Sequence, residues 1–290
     1  METSATINKL GFSLLVSGAL SLLSFIPFAD AQQDKLREVR GDPKNGAYVF
    51  TAAGCNSCHI GKNKGLKNDL SGGEEFKTPF GVFFAPNVSM SEKHGIGKWT
   101  YSDFYKSLKS GVNPEGQHYY PAFPYTSYSK IKEEDIADLW AFWQTLPSVE
   151  IPSKPHDIRF PFNYRWTLGI WKTLFWDKGH VVGDGRARST YLVEALGHCA
   201  ECHTSRNQFG ALNRDKWMRG GSNPSGKGNI PSIHPKDLKW SKKDIIEYLT
   251  TGLTPEFDVA GGQMGSVIKN TSKLTLEDKT LIAEYLLNLR

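Results

Sequence analysis

The chain has 290 residues, of which 39% are hydrophobic and 22% are charged, and its formal net charge is +5. After removal of an amino-terminal signal, this length suits two small domains better than one. The basic excess is mild, and no basic run with interleaved aromatic residues occurs, so the composition does not indicate nucleic-acid binding. The mild basic excess is compatible with a basic face that binds an acidic protein partner.

Residues 1–31 resemble a secretory signal peptide. Lys9 precedes an apolar stretch over residues 12–28, and Ala29-Asp30-Ala31 has the small-x-small pattern of a cleavage site. We expect cleavage after Ala31 and a periplasmic mature protein. The alternative is a retained membrane anchor, because about 17 apolar residues is near the lower limit for spanning a bilayer.

Two copies of the motif Cys-x-x-Cys-His use every cysteine in the chain. They comprise Cys55, Cys58 and His59 in the first half, and Cys199, Cys202 and His203 in the second. This spacing places both thiols on one side of a helical turn, where each can form a thioether with a haem vinyl group, and the next residue offers an imidazole to the iron. A four-cysteine zinc site would need its two pairs about 15–20 residues apart, and neither a redox-active pair nor a short-loop disulfide requires the histidine. The motifs therefore predict two covalently attached c-type haems.

The chain also shows an internal duplication. Equivalent residues lie 141 positions apart, as Trp99 and Trp240 do. The other matches at this offset join Asp103 to Asp244, Leu108 to Leu249, Gly111 to Gly252 and Pro114 to Pro255. Gly72-Gly73 and Asn87-Val88 precede the first set, as Gly220-Gly221 and Asn229-Ile230 precede the second. Two repeats with one haem each explain this order.

Each repeat is predicted to be helical. Helices over residues 44–53 and 186–196 lead into the haem motifs, and Thr100 and Ser241 each precede an acid by three residues, which is typical of a capping box. Apolar faces over residues 136–146 and 281–289 predict the closing helices. We therefore expect an all-α fold with two tandem class I cytochrome c-like domains, at residues 42–149 and 185–290.

Residues 150–184 separate the repeats and are too apolar for a free linker. The segment combines three prolines with Phe160, Phe162, Tyr164, Trp166, Trp171, Phe175 and Trp176. We predict a strap packed on both domains, with a short helix near residues 165–175. A docking surface for a partner protein is the alternative.

The sixth iron ligands are predicted to differ between the haems. Met264 lies just before the closing helix, where a small cytochrome c places its sulfur, so we assign it to the haem of His203. The offset of 141 leads from Met264 back to Phe123, which cannot bind iron. For the first haem, three alternatives stay open: His118 as a tentative sixth ligand, an open or water-bound iron, and Met90. The histidines predicted to lie at the surface or near haem propionates are His94, His156, His180 and His234.

Several of these motifs together resemble a known family. They are Thr78-Pro79-Phe80-Gly81, Gly95-Ile96-Gly97-Lys98-Trp99, Tyr120-Pro121-Ala122-x-Pro124-Tyr125, and Phe160-Pro161-Phe162-Asn163. The chain is similar to the cytochrome c subunits of membrane-associated alcohol and gluconate dehydrogenases, and to related subunits of molybdenum-dependent dehydrogenases. The family's best-known members carry three haem motifs and usually have Met where this chain has Phe123, although variants with a His before the Tyr-Pro-Ala-Phe-Pro-Tyr run occur.

The resemblance implies electron transfer and not catalysis by the chain itself. A periplasmic or membrane-associated dehydrogenase would be the donor, and a cytochrome c or terminal oxidase the acceptor, with peripheral membrane association as a further possibility. The alternative function is a dihaem enzyme of the peroxidase or thiosulfate-oxidising type, in which an open first haem turns over a small substrate. No recognisable acid and base pair supports that alternative.

Overall fold

The computed structural model describes Met1, residues 40–61 and residues 65–290. Apart from Met1, the predicted signal segment at residues 1–31 lies outside the described residues. Within the described ranges, no helix combines the length and the apolar character needed to cross a lipid bilayer.

Helices form most of the regular structure. In the first half they are α1 (Pro43–Ala52), α2 (Cys55–His59), α3 (Tyr101–Ser110), α4 (Tyr125–Tyr128) and α5 (Glu133–Trp143). A central helix, α6 (Thr167–Phe175), separates them from the second half. That half contains α7 (Arg188–Thr190), a π-helix (Tyr191–Leu196), α8 (Ala200–His203), a 3₁₀ turn (Arg214–Lys216), α9 (Pro235–Leu238), α10 (Lys242–Thr251), α11 (Gly262–Thr271) and α12 (Leu276–Leu287).

Two small antiparallel sheets accompany the helices, which the all-α prediction did not include. The first has the order β1 (Glu75–Thr78), β2 (Gly81–Phe84) and β3 (Asp157–Ile158), and the second pairs β4 (Gly221–Ser222) with β5 (Asn229–Ile230). No strand among the residues that the structure describes is longer than four residues. Such strands are too short for an alternating pattern to identify them in a sequence.

The two capped helices begin and end in the same way. In α3, Thr100 and Asp103 form a reciprocal capping box, and in α10 Ser241 and Asp244 form the same one. Each helix ends at a glycine in the left-handed conformation, a common helix terminator. The predicted helix starts are therefore confirmed, and so is their offset of 141 residues.

The duplication continues into the loops that follow these helices. Val112 bridges to His118 as Leu253 bridges to Val259. The N–H of Tyr119 then donates to the carbonyl of Gly111 at 2.8 Å, and its counterpart in the second half, the N–H of Ala260, donates to Gly252 at the same distance. The equivalent residues in these loops all lie 141 positions apart. The correspondence between the two halves therefore extends to Tyr119 and Ala260, four residues before Phe123 and Met264.

Buried apolar residues of both halves form one continuous cluster, to which α5 contributes more residues than any other element of the first half, and α5 packs against α1. The two helices approach closely at Gly46, where an added Cβ would lie 1.9 Å from the carbonyl oxygen of Asp138. Farther along α1, the Tyr48 hydroxyl donates to Asp278 of α12 at 2.5 Å, and Arg188 binds the same carboxylate. The hydrogen bond between Tyr48 and Asp278 joins the two halves.

The central segment contacts both halves. The Lys172 ammonium donates to the carbonyls of Ser110 and Gly111 at 2.6 and 2.8 Å, at the negative end of the α3 dipole. On the other side, the Trp171 indole N–H donates to the carbonyl of Phe209 at 2.8 Å, and Phe175 stacks on the same phenylalanine.

The crossing of α1 and α5 makes a testable prediction. Gly46→Val should lower the free energy of unfolding by about 1–3 kcal/mol, because the new side chain has no room and forces the helices apart. Gly261→Ala is the matched control, since an added Cβ there meets nothing within 4 Å. Chemical denaturation measures both variants, and equal losses would contradict the packing described here.

Candidate haem-binding sites

Each pair of thiols lies on a short helix. In the first half, α2 begins at Cys55, so that Cys58 follows on the same turn. In the second half the π-helix leads to Cys199, which is the N-cap of α8. All four cysteines are free thiols. Each pair therefore has the placement that two thioether bonds to one haem require.

The environment of the thiols is apolar. Burial raises the pKa of Cys55 and Cys199 to about 12 and that of Cys58 to about 11. It also raises the pKa of Cys202. A redox-active pair depends on a thiol with a lowered pKa, so this environment does not favour thiol–disulfide chemistry.

The two motif histidines are oriented by equivalent backbone contacts. His59 Nδ1 lies 3.0 Å from the carbonyl oxygen of Pro86, and His203 Nδ1 lies 2.9 Å from that of Pro231. Because a carbonyl only accepts, Nδ1 carries the proton and Nε2 keeps the lone pair that binds a metal. Burial lowers the pKa of both rings, which favours this neutral form. A carbonyl behind a metal-binding histidine is a common way to fix its orientation.

A second contact holds the backbone of the same residues. The carbonyl of His59 accepts from the N–H of Gly72 at 2.9 Å, and that of His203 accepts from Gly220 at 2.7 Å. Both glycines have a positive φ, and a Cβ there would lie 2.4 to 2.5 Å from a backbone carbonyl oxygen. The predicted equivalence of these two glycines is thus confirmed.

The sequence missed the roles of Pro86 and Pro231. The predicted duplication pairs Asn87-Val88 with Asn229-Ile230, whereas the hydrogen bonds to the imidazoles pair Pro86 with Pro231. The pairing from sequence was displaced by three residues, because Asn87 and Asn229 lie 142 positions apart whereas the two prolines lie 145 apart. A proline 27 or 28 residues after each motif histidine was the available signal.

Both motifs open into one continuous cavity of about 2040 Å³. It is larger than the roughly 300–1,000 Å³ of a single small-molecule pocket. Its apolar walls include equivalent residues of the two halves, Phe104 and Leu108 on α3, and Ile245 and Leu249 on α10. The thiols, the neutral imidazoles and these walls together fit one haem at each motif.

Residues close to one motif also contact residues close to the other. Tyr128 donates its hydroxyl to the carbonyl of Ala53, just before the first motif, at 2.8 Å. Its ring packs edge-on against His198, just before the second motif, with centroids 5.4 Å apart. The Asn270 side chain of α11 donates to Ser57, inside the first motif, at 2.7 Å. The attachment sites are therefore neighbours within one packed unit.

Glu201, inside the second motif, adds a polar contact between the halves. Its carboxylate accepts from Thr126 Oγ1 at 2.9 Å and forms an ion pair with Arg206. Burial alone would raise the pKa of Glu201, but the charge and hydrogen bonds of Arg206, with the hydrogen bond of Thr126, lower it. The carboxylate is thus buried in a paired, ionised state.

Two of the four residues considered for the sixth iron position line the cavity. Met264 does so at the start of α11, and Phe123 does so before α4. His118 and Met90 are absent from the described residues that line it. The assignment of the sixth ligands stays a prediction.

The remaining histidines have different surroundings. His94 and His156 line the cavity, whereas His234, predicted to lie at the surface or near a haem propionate, is buried and is not among the described residues that line the cavity. His234 is only 2% exposed, and its Nδ1 accepts the N–H of Lys236 at the start of α9. On the other edge of the ring, Nε2 lies 3.3 Å from the carbonyl oxygen of Arg290. His234 therefore has a structural role.

The chain is similar to known proteins over most of its length. It is 45% identical over 279 residues to a dihaem c-type cytochrome of Cereibacter sphaeroides, and the match covers 94% of each chain. The chain belongs to the c-type cytochromes. Membership implies covalently bound haem c. No protein-family model matches the chain.

This cytochrome is also similar to subunits of dehydrogenase complexes. It is 31% identical to the cytochrome c subunit of a quinone-type alcohol dehydrogenase of Gluconobacter oxydans, over 84% of this chain and 54% of that subunit. It is 32% identical to the cytochrome c subunit of a gluconate 2-dehydrogenase of Pantoea cypripedii, over 93% of this chain and 63% of that subunit. The chain thus spans less than two thirds of these two relatives, and its resemblance to electron-transfer subunits is confirmed.

The contact made by Glu201 makes a testable prediction. Glu201→Gln should lower the free energy of unfolding by about 1–3 kcal/mol, because Arg206 loses a desolvated partner. The matched control is Asp184→Asn, which breaks the solvent-exposed pair with Arg186 and should leave the free energy of unfolding nearly unchanged. Chemical denaturation of the haem-loaded protein measures both, and a larger loss in the control would refute this role of Glu201.

Proposed function

We propose that this cytochrome carries two haem c groups, one at each motif, and relays single electrons between proteins outside the cytoplasmic membrane. Haem supplies reversible one-electron chemistry at iron, and the protein tunes its potential through axial ligands, burial and hydrogen bonds. The observation that carries this proposal is the duplicated support of His59 and His203, with both motifs opening into one cavity.

We further propose two tandem cytochrome c-like domains, at residues 42–149 and 185–290, with residues 150–184 as the strap between them. The offset of 141 residues between capping boxes, bridges and loop hydrogen bonds supports the domains. The contacts of Lys172 with the first half and of Trp171 with the second support the strap.

Met264 is the sixth ligand that we propose for the second haem. It lines the cavity, and it follows the loop bridge of Leu253 and Val259 by five residues. His203, with its ring held by Pro231, would bind the opposite face of the same iron. A histidine and methionine pair raises the reduction potential, so the second haem would be the electron acceptor within the protein.

The printed names of the relatives support a dehydrogenase as the electron donor. A soluble cytochrome or a terminal oxidase is the acceptor that we propose. For the proposed peripheral membrane association, the strap offers exposed aromatic side chains, with Phe160 76% and Trp166 69% exposed. Arg159 and Arg165 flank them, and aromatic and basic residues together are typical of a membrane interface.

The number of haems per chain tests the dihaem proposal, and the turnover of small substrates distinguishes an electron relay from a dihaem enzyme. The purified protein should contain two haems per chain in a pyridine haemochrome assay, and each fully reduced chain should reduce two molecules of a ferric single-haem cytochrome c. It should not consume hydrogen peroxide or thiosulfate faster than denatured protein does. A single haem per chain would overturn the dihaem proposal, and rapid turnover would favour the enzyme.

The ligand of the second haem is tested by substitution. Met264→Leu should abolish the near-infrared charge-transfer band of methionine-bound ferric haem. It should also lower one haem potential by about 0.1 V, within the roughly 0.8 V range that axial ligands span. Met218→Leu is the control, because Met218 is fully buried and is not among the residues that line the cavity. A band that survives in Met264→Leu would exclude this methionine.

A further inference from the structure

Phe123 occupies the position that corresponds to Met264. The shared hydrogen bonds end at Tyr119 and Ala260, and four residues later the chain reaches Phe123 in one half and Met264 in the other. The Phe123 ring lines the cavity and packs edge-on against Tyr119 and Tyr128, with centroids 5.5 and 5.6 Å apart. A hydrocarbon ring held at the cavity wall in this way offers no lone pair to a metal.

His118 is held by other contacts, outside the cavity. Its backbone bridges to Val112, and its Nδ1 accepts from the Lys172 ammonium at 3.1 Å. Its ring lies against α6, since a Cβ added at Gly169 would be 3.1 Å from His118 Nε2. The corresponding residue of the second half is Val259, which precedes Met264 by the same interval that separates His118 from Phe123. Binding iron would require His118 to leave both Lys172 and the α6 contact.

Met90 is similarly engaged elsewhere. Its side chain packs against the main hydrophobic cluster, and its N–H donates to the carbonyl of Pro147 at 3.3 Å. Gly97 lies close to the Met90 carbonyl, where an added Cβ would be 2.3 Å away. These contacts hold the loop on both sides of the residue.

Among the described residues, the cavity is also lined by three other histidines outside the haem motifs. Two of their rings have partners: His156 Nδ1 accepts the N–H of Phe84 at 3.2 Å, and His198 packs on Tyr128. The third, His94, follows Pro86 by eight residues, and Pro86 supports the proximal imidazole of His59. His94 is therefore tested below as a candidate ligand, together with His118 and Met90.

We propose that the iron at the first motif keeps an exchangeable sixth position, walled by Phe123 and Tyr119, that binds small exogenous ligands such as carbon monoxide, nitric oxide and cyanide. This inference rests on the proposed attachment of a haem at His59. An apolar wall with a nearby hydroxyl gives a small diatomic ligand room and one hydrogen-bond donor.

The test is carbon monoxide titration of the reduced, haem-loaded protein. We expect one carbon monoxide bound per two haems. Phe123→Met should weaken this binding by about tenfold or more, because an internal ligand then competes for the position. The same variant should add a second methionine charge-transfer band to the ferric spectrum. Phe123→Leu is the matched control, which offers no ligand and should retain the binding.

Two results would overturn the inference. The first is a wild-type protein that carries two haems and binds no carbon monoxide, and this result needs no variant. The second is a change in the ferric spectrum of the first haem in His94→Ala, His118→Ala or Met90→Ala, which would identify a protein ligand. Either result leaves the electron relay intact, whereas a haem count of one would overturn the proposed dihaem relay itself.

Discussion

The geometry of both candidate haem sites depends on the hydrogen bond between the motif histidine and a proline carbonyl. His59 with Pro86, and His203 with Pro231, have Nδ1 to oxygen distances of 3.0 and 2.9 Å. The bond fixes the tautomer and the direction of Nε2, and it does so without a charged group that would have to be buried. The cysteines would tether a haem, and this hydrogen bond would hold the imidazole Nε2 in a fixed direction toward its iron.

The two sites have the same construction on the histidine side and differ on the opposite side. The glycine contacts behind each histidine, the capping boxes and the loop bridges all recur at equivalent places. On the opposite side, Met264 lies in the ten-residue helix α11, whereas Phe123, at the same register position, precedes the four-residue helix α4. Because the motifs share one cavity and Tyr128 contacts the surroundings of both, a change in one haem's ligation is expected to affect an adjacent haem.

The duplication explains why much of the fold was predictable from sequence. Capping residues such as Thr100 and Ser241 act locally, so they placed the starts of α3 and α10 correctly, and the offset of 141 held in three dimensions. The short strands, by contrast, form through pairing between distant segments, as Val82 of β2 does with Asp157 of β3. A pairing of this kind leaves no local pattern in either segment.

Site residues could be predicted where their spacing along the sequence identifies them. Residues whose surroundings depend on packing against distant segments could not be predicted. The six motif residues were predicted from their spacing alone and all line the cavity, and their attachment to haem stays a prediction. The surroundings of His118 depend on Lys172, which comes from a segment 54 residues away. His234 is buried because Lys236 and Arg290 supply partners to its ring, and no property of the local sequence indicates that pairing.

The central claim is that two similarly supported haems differ in their sixth ligand. Electron paramagnetic resonance of the ferric protein during a potentiometric titration tests it most directly. The account predicts one low-spin histidine–methionine haem and one high-spin haem, each titrating as a single electron, with the low-spin haem at the higher potential. Two low-spin histidine–methionine signals that titrate together would contradict it.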